Sequence, residues 1–197
     1  MKIITSYIAT SPPAETAYYT LPDTALRQGG QPFFIPDEGT PCIAHSCIAV
    51  RICRQGRSVS SRFAYRYYDA CTCAIHFVLA TRLLHLQTAG LPWDEAVGFD
   101  GAVCVGRFLT LNDFLHEASE TLEGMFSISD DSNPQFASRI TREQIDASIV
   151  AASKSFTLHQ GDLLLVSDEQ SNGFEVAFNQ SIKGTINKET ILAFNVK

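Results

Sequence analysis

From Pro41 to Arg54 the side chains alternate with a period of two, and only an extended strand sets alternate residues on common faces. Ala44, Ser46, Ile48, Val50 and Ile52 make a mostly apolar face, while Ile43, His45, Cys47, Ala49 and Arg51 make a mixed one. His45 and Cys47 thus stand side by side, a nitrogen and a sulfur that could grip a metal together. A second stretch, Cys71 to Val78, reads the same way. Cys71, Cys73, Ile75 and Phe77 fall on one side, and Thr72, Ala74, His76 and Val78 on the other. A regular strand therefore turns Cys71 and Cys73 away from His76.

Other short strands are expected at Met1 to Thr5, Val103 to Leu109, Leu163 to Val166, Glu175 to Phe178, Ser181 to Ile186 and Ile191 to Val196. Helices are few. Arg62 to Tyr68 suits a short helical turn, and Leu79 to Ala89 a helix stopped by Gly90 with Pro92 beyond. Thr141-Arg142-Glu143-Gln144 has capping-box form and opens a helix with Ile145, Ile149 and Ala152 on one face. Pro12-Pro13, Pro22-Asp23, Gly29-Gly30 and Asp130-Asp131-Ser132-Asn133-Pro134 read as turns or loops. Residues 116–140 carry no clear pattern. No repeat, low-complexity tract or linker divides the 197 residues, so a single α+β domain dominated by β-sheet is expected.

A net charge of -6 and a pI near 5.3 give no footprint for nucleic acid or an acidic membrane. No apolar run approaches the roughly 20 residues of a membrane span. The apolar start is too short for a signal peptide, which makes the cytoplasm the expected location. Cys42, Cys47, Cys53, Cys71, Cys73 and Cys104 fit neither a paired zinc spacing nor a secreted disulfide framework. They are expected as reduced thiols, most of them packing residues.

Several segments in order resemble the fumarylacetoacetate hydrolase family in its short single-domain form. They are Leu21-Pro22-Asp23-Thr24-Ala25-Leu26, Pro32-Phe33-Phe34-Ile35-Pro36-Asp37, Arg62 to Asp69, Gly90-Leu91-Pro92-Trp93 and Gly98-Phe99-Asp100-Gly101. Phe156-Thr157-Leu158, Gly161-Asp162-Leu163 and the ending Phe194-Asn195-Val196-Lys197 follow. The resemblance spans nearly the whole chain and implies the family's mixed β-sandwich roll with peripheral helices, and a homodimer. It also implies a divalent ion, usually magnesium, manganese or calcium, held by a Glu-x-Glu pair and an aspartate and chelating a 2-oxo acid.

This chain departs from that pattern at the chemistry. His45 and Cys47 stand where the two glutamates belong, and His76 where the aspartate belongs. Val97 replaces a lysine. Of an Asn-Tyr-x-x-His pattern only Tyr7 survives, in Ser6-Tyr7-Ile8-Ala9-Thr10, so no general base is evident. Val166-Ser167-Asp168-Glu169-Gln170 replaces a Thr-Gly-Thr-Pro substrate loop, and residues 133–140 hold no counterpart of a Gly-x-Thr segment.

Two readings follow. In one, His45, Cys47 and His76 are a rebuilt site for zinc or another transition metal, magnesium being a poor match, in an enzyme acting on C–C bonds of small oxo acids. In the other, favoured by the missing lysine, base and loop, the site was abandoned. The protein then carries no cofactor and no assignable catalytic residue, and serves ligand binding or protein association. Tyr7 and Asp100 are the substrate-contact candidates by resemblance, although Asp100 without the lysine suits a structural loop role. Trp93, Cys71, Cys73, Arg62, Arg66, Tyr67 and Tyr68 are expected to be structural, Asp168-Glu169 a charged turn, and His85, His116 and His159 solvated.

Overall fold

Two long strands dominate the computed structural model: β4 (Cys42–Ile52) and β5 (Tyr68–Leu79), paired antiparallel from Cys42↔Leu79 to Ile52↔Tyr68. Residues 1–9, 15–28, 30–36, 41–111, 121–128, 136–169, 171 and 173–197 are described. Around the central pair lie β1 (Ile3–Ala9), β2 (Glu15–Leu21), β3 (Leu26–Gln28), β6 (Val103–Val105), β7 (Leu109–Thr110), β10 (Leu163–Asp168) and β11 (Gly173–Glu175). The order of this sheet is β2-β1-β10-β4-β5-β6-β3, with β11 added to β4 and β7 to β5. A second sheet is made of β8 (Thr121–Ile128), β9 (Phe136–Thr141), β12 (Ser181–Ile186) and β13 (Glu189–Asn195), in the order β13-β12-β8-β9. Three α-helices lie among the described residues: α1 (Ala80–Thr88), α2 (Asp94–Val97) and α3 (Arg142–Ser155).

Both faces of β4 and β5 are covered, and alternation sends their residues to two different clusters. Ala44, Ile48, Val50, Cys71, Cys73, Ile75 and Phe77 enter the core between the sheets, where Leu122, Phe126, Ile182 and Leu192 meet them. Cys47, Ala49, Ala74 and Val78 face the other way, onto Ile3, Leu165, Val97 and Val103. His76 shares that second face. Phe77 stacks on Phe33 with centroids 3.6 Å apart, and Phe194 meets it edge-on. The small sheet approaches closely because Gly124 and Gly184 lie over Cys73. A Cβ at Gly124 would meet the Cys73 sulfur at 3.0 Å, and one at Gly184 the Cys73 Cβ at 3.2 Å.

The capping box forms as read: Thr141 Oγ1 accepts from Gln144 N, and the Gln144 side chain accepts from Thr141 N. Arg62 to Tyr68 proves to be a 3-10 turn over Ser61–Arg66. Val103 to Leu109 is not one strand. At Gly106 the chain presses on β13, where a Cβ would lie 2.6 Å from the Ile191 carbonyl oxygen, and Arg107 N donates to that oxygen. The strand expected at Glu175 to Phe178 lies earlier, at Gly173–Glu175, because the partner edge of β4 ends there. β2, β3, β8 and β9 carry no pattern in the sequence strong enough to announce them. Thr10, Pro12-Pro13, Gly29, Asp37, His116, Asp130 to Pro134 and Gln170 lie outside the described residues.

Gly161, at φ 88°, makes the turn that leads into β10, and Asp162 ties that turn to the start of β1. The buried Asp162 carboxylate accepts from Lys2 N, Lys2 Nζ and His159 N at 2.9, 2.5 and 2.8 Å. Burial alone would raise this carboxyl, but the hydrogen bonds from Lys2 and His159 outweigh it and hold it below the ordinary range. An Asp162→Ala variant is expected to lose about 2–3 kcal/mol in urea unfolding, since two backbone donors lose their acceptor. Lys2→Ala should lose less than half as much, because both backbone donors remain.

Candidate functional site

The second face of the large sheet ends in a cavity of about 270 Å³. Period two on β1 brings Thr5 and Tyr7 to it, and Tyr19 on β2 lies opposite Thr5 in the register. His45 and Cys47 arrive from β4, and His76, directly opposite His45, from β5. Ser167 of β10 lies opposite Tyr7, and Ser171 follows in the turn. Leu83 and Gln87 of α1, Trp93 and Val97 of α2 close the far side. The three residues singled out on two separate strands thus share one cavity. Tyr7 lines it as well, 43% exposed at its mouth.

His76 is buried, and both of its ring nitrogens are engaged. Nε2 lies 2.8 Å from the Val97 carbonyl, which can only accept, so Nε2 carries the proton. Nδ1 is then the acceptor of the Tyr19 hydroxyl at 3.3 Å. Burial pulls the imidazole down to about 4, against the bond to Val97 and with a smaller downward push from His45. His45 is lowered as well, again by burial. Its ring has no hydrogen-bond partner among the described residues, and it packs so closely on Gly173 that a Cβ there would meet its Cε1 at 2.8 Å.

Burial pushes the Cys47 thiol up to about 12, so it stays protonated; its sulfur lies 3.6 Å from the His45 carbonyl oxygen. The Tyr19 phenol is raised by burial and by Cys47, and Trp93 meets its ring edge-on at 5.3 Å. The Thr5 hydroxyl stands beside that phenol and opposes its upward shift, yet reaches hydrogen-bond geometry with no protein group. Ser171 Oγ donates to the buried Asp168 carboxylate at 2.9 Å.

Among the described residues no charged side chain lines the site. All fifteen Lys and Arg residues occupy described positions, and none lines the cavity; among the described residues no Asp or Glu lines it either. Asp100 is not brought there. It is exposed beside Arg27, Gln31 and Phe34 in a separate surface depression. His85 is exposed on α1, and His159 is exposed with its Nδ1 3.0 Å from Lys2 Nζ. Cys71 and Cys73 lie in the opposite core, as alternation requires. Arg66 stacks over Phe63 and Tyr65, and Tyr68 donates to Asp146, which makes that segment structural. Asp168 closes the end of β10 while Glu169 is exposed in the turn. Thr5, Tyr19, Gln87, Ser167 and Ser171 went unread as site residues. Only Thr5 had a signal, its period-two relation to Tyr7.

No family model matches the chain. Oxaloacetate tautomerase YcgM of Escherichia coli (strain K12) is 24% identical over 161 residues, 82% of this chain and 73% of that protein. Fumarylpyruvate hydrolase from Pseudomonas aeruginosa, solved in complex with Mn2+ and pyruvate, superposes with a TM-score of 0.83 at 14% identity, covering 100% of this chain and 89% of that one. A protein from Yersinia pestis CO92 assigned to the fumarylacetoacetate hydrolase family gives 0.85 at 20% identity, covering 100% and 93%. The chain has the fumarylacetoacetate hydrolase fold. The fumarylacetoacetate hydrolase fold also houses 2-hydroxyhepta-2,4-diene-1,7-dioate isomerase from Mycobacterium marinum, with a TM-score of 0.82 at 20% identity over 99% of this chain and 73% of that one. Proteins similar to this chain thus include a hydrolase, an isomerase and a tautomerase.

The residues at the cavity do not fit the hard divalent ion that the fumarylacetoacetate hydrolase fold implies. Magnesium, manganese and calcium take oxygen ligands, and the three positions present nitrogen, sulfur and nitrogen. Among the described residues no group of three or more His, Cys, Asp or Glu is placed to hold a metal ion. His76 has also committed its Nε2–H to Val97 and its Nδ1 lone pair to Tyr19.

A histidine that folding holds neutral takes its proton more readily once unfolded. The stability tied to His76 is therefore complete above its ordinary value of 6.5 and lost as pH falls towards about 4. Urea unfolding of the wild type should lose about 3 kcal/mol of stability from this group over that interval. In His76→Gln the slope between pH 6.5 and 4 should be visibly flatter.

Proposed function

We propose that this chain is a catalytically degenerate protein of the fumarylacetoacetate hydrolase fold, retained to bind a small ligand. The observation that carries the reading is the bond from His76 to the Val97 carbonyl. By resemblance position 76 belongs to a metal-binding aspartate; here its side chain spends both ring nitrogens on protein groups, the Val97 backbone carbonyl and the Tyr19 hydroxyl. Among the described residues the cavity is lined by no Asp, Glu, Lys or Arg, so it offers neither the carboxylate set of a hard-ion site nor a cation for a carboxylate. What remains is a walled, partly apolar space with hydroxyl, amide and imidazole groups, which suits binding. A homodimer, as the resemblance implies, belongs to the same reading, and light scattering should then give about twice 21.6 kDa.

One observation favours a second reading. His45, Cys47 and His76 do converge on one cavity, so a transition-metal enzyme acting on small oxo acids is the competing account. Elemental analysis of purified protein decides between them. Under the first reading zinc stays far below one per chain in both wild type and Cys47→Ala. Stoichiometric zinc that vanishes in Cys47→Ala would sink it. Oxaloacetate and fumarylpyruvate, each offered with Mg2+ or Mn2+, should turn over no faster than in buffer, and saturable turnover would equally sink it.

A further inference from the structure

Among the described residues the cavity is lined by no cationic or anionic side chain. Every Lys and Arg of the chain lies elsewhere, and His76 spends both ring nitrogens on the Val97 carbonyl and the Tyr19 hydroxyl. A carboxylate entering it would shed water and meet no Lys or Arg. Polar recognition is nonetheless built in. Thr5 Oγ1 is buried, the residue being 5% exposed, and is without a partner. The neutral His45 ring offers one donor and one acceptor and satisfies neither among the described residues. Tyr19, having given its proton to His76, still presents oxygen lone pairs. Around these groups Trp93, Leu83, Val78 and Val97 supply apolar wall. At about 270 Å³ the space lies at the small end of ligand sites, which run from about 300 Å³ upward, and suits a single ring.

We propose that this cavity takes an uncharged, ring-sized ligand bearing both a hydrogen-bond donor and an acceptor, of the aromatic amide or alcohol class, and rejects carboxylates. The inference rests on the reading of a retained binding cavity and adds the chemistry of what it binds. Donor and acceptor are both required because Thr5, Tyr19 and His45 together present both needs. Charge is excluded because nothing at the cavity neutralises it.

Benzamide and benzoate have nearly the same shape and differ in charge, so calorimetric titration of the full chain with each is the test. Benzamide should bind saturably and at least ten times more tightly than benzoate. Thr5→Val should weaken benzamide several-fold while its melting temperature stays equal or rises, since it deletes an unsatisfied buried hydroxyl. Gln87→Arg, on an exposed helical position, should narrow or reverse the preference by giving benzoate a partner. Benzoate bound as tightly as benzamide by the wild type would overturn the ligand class and leave the retained binding cavity standing. Pyruvate bound only with Mn2+, together with turnover, would overturn both. Saturable binding of neither aromatic, or benzamide binding unaffected by Thr5→Val, also overturns the ligand class; the turnover and zinc measurements then judge the retained cavity separately.

Discussion

The antiparallel pairing of β4 with β5 is the constraint on which the rest depends. Because both faces of this pair are covered, each side chain on it is either packed or must find a polar partner inside the protein. Cys71, Cys73, Ile75 and Phe77 meet the condition by packing. His76 meets it with two hydrogen bonds, to the Val97 carbonyl of α2 and from Tyr19 of β2. Among the described residues one hydroxyl of the pair and one on β1, in the same sheet, go without a partner. Thr5 lies at the cavity, where a ligand can complete it; Ser46, on the core face, is unpartnered, and nothing in the structure explains it.

Under the reading proposed above, the same pairing would explain why opposite charges were replaced together. The resemblance puts carboxylates at 45, 47 and 76 and a lysine at 97. A buried lysine left without its carboxylates, or buried carboxylates left without metal or lysine, would be an uncompensated charge, among the more destabilising features a core can hold. His, Cys, His and Val remove both signs at once. The resulting cavity keeps its walls and its hydrogen-bonding groups, and its electrostatics are those of a neutral site.

Much of the fold was legible in the sequence where a local period was strong. The alternation at 43–52 and 71–78 and the capping box at Thr141 act over a few residues and need no distant partner. β2 and β8 lacked such a signal. β2 leaves Glu15, Ala17 and Thr20 exposed at the sheet edge, and β8 places Gly124 where an alternating pattern would need a side chain. Val103 to Leu109 misled because its break is imposed by Ile191, more than 80 residues away. At the site, His45, Cys47 and His76 were legible as a set, as was Tyr7. Thr5, Tyr19, Gln87 and Ser171 were not, because each comes from a different element.

By itself the sequence determined which residues share a strand face, because side-chain direction along a strand follows from backbone geometry alone. That none of the fifteen Lys and Arg lines the cavity was a matter for the tertiary structure, since their number says nothing of where they lie. Only the tertiary structure decided what His76 does with its two nitrogens. That outcome depends on where the Val97 carbonyl and the Tyr19 hydroxyl arrive, and hydrogen bonds between elements are settled by packing over distances that no local pattern encodes.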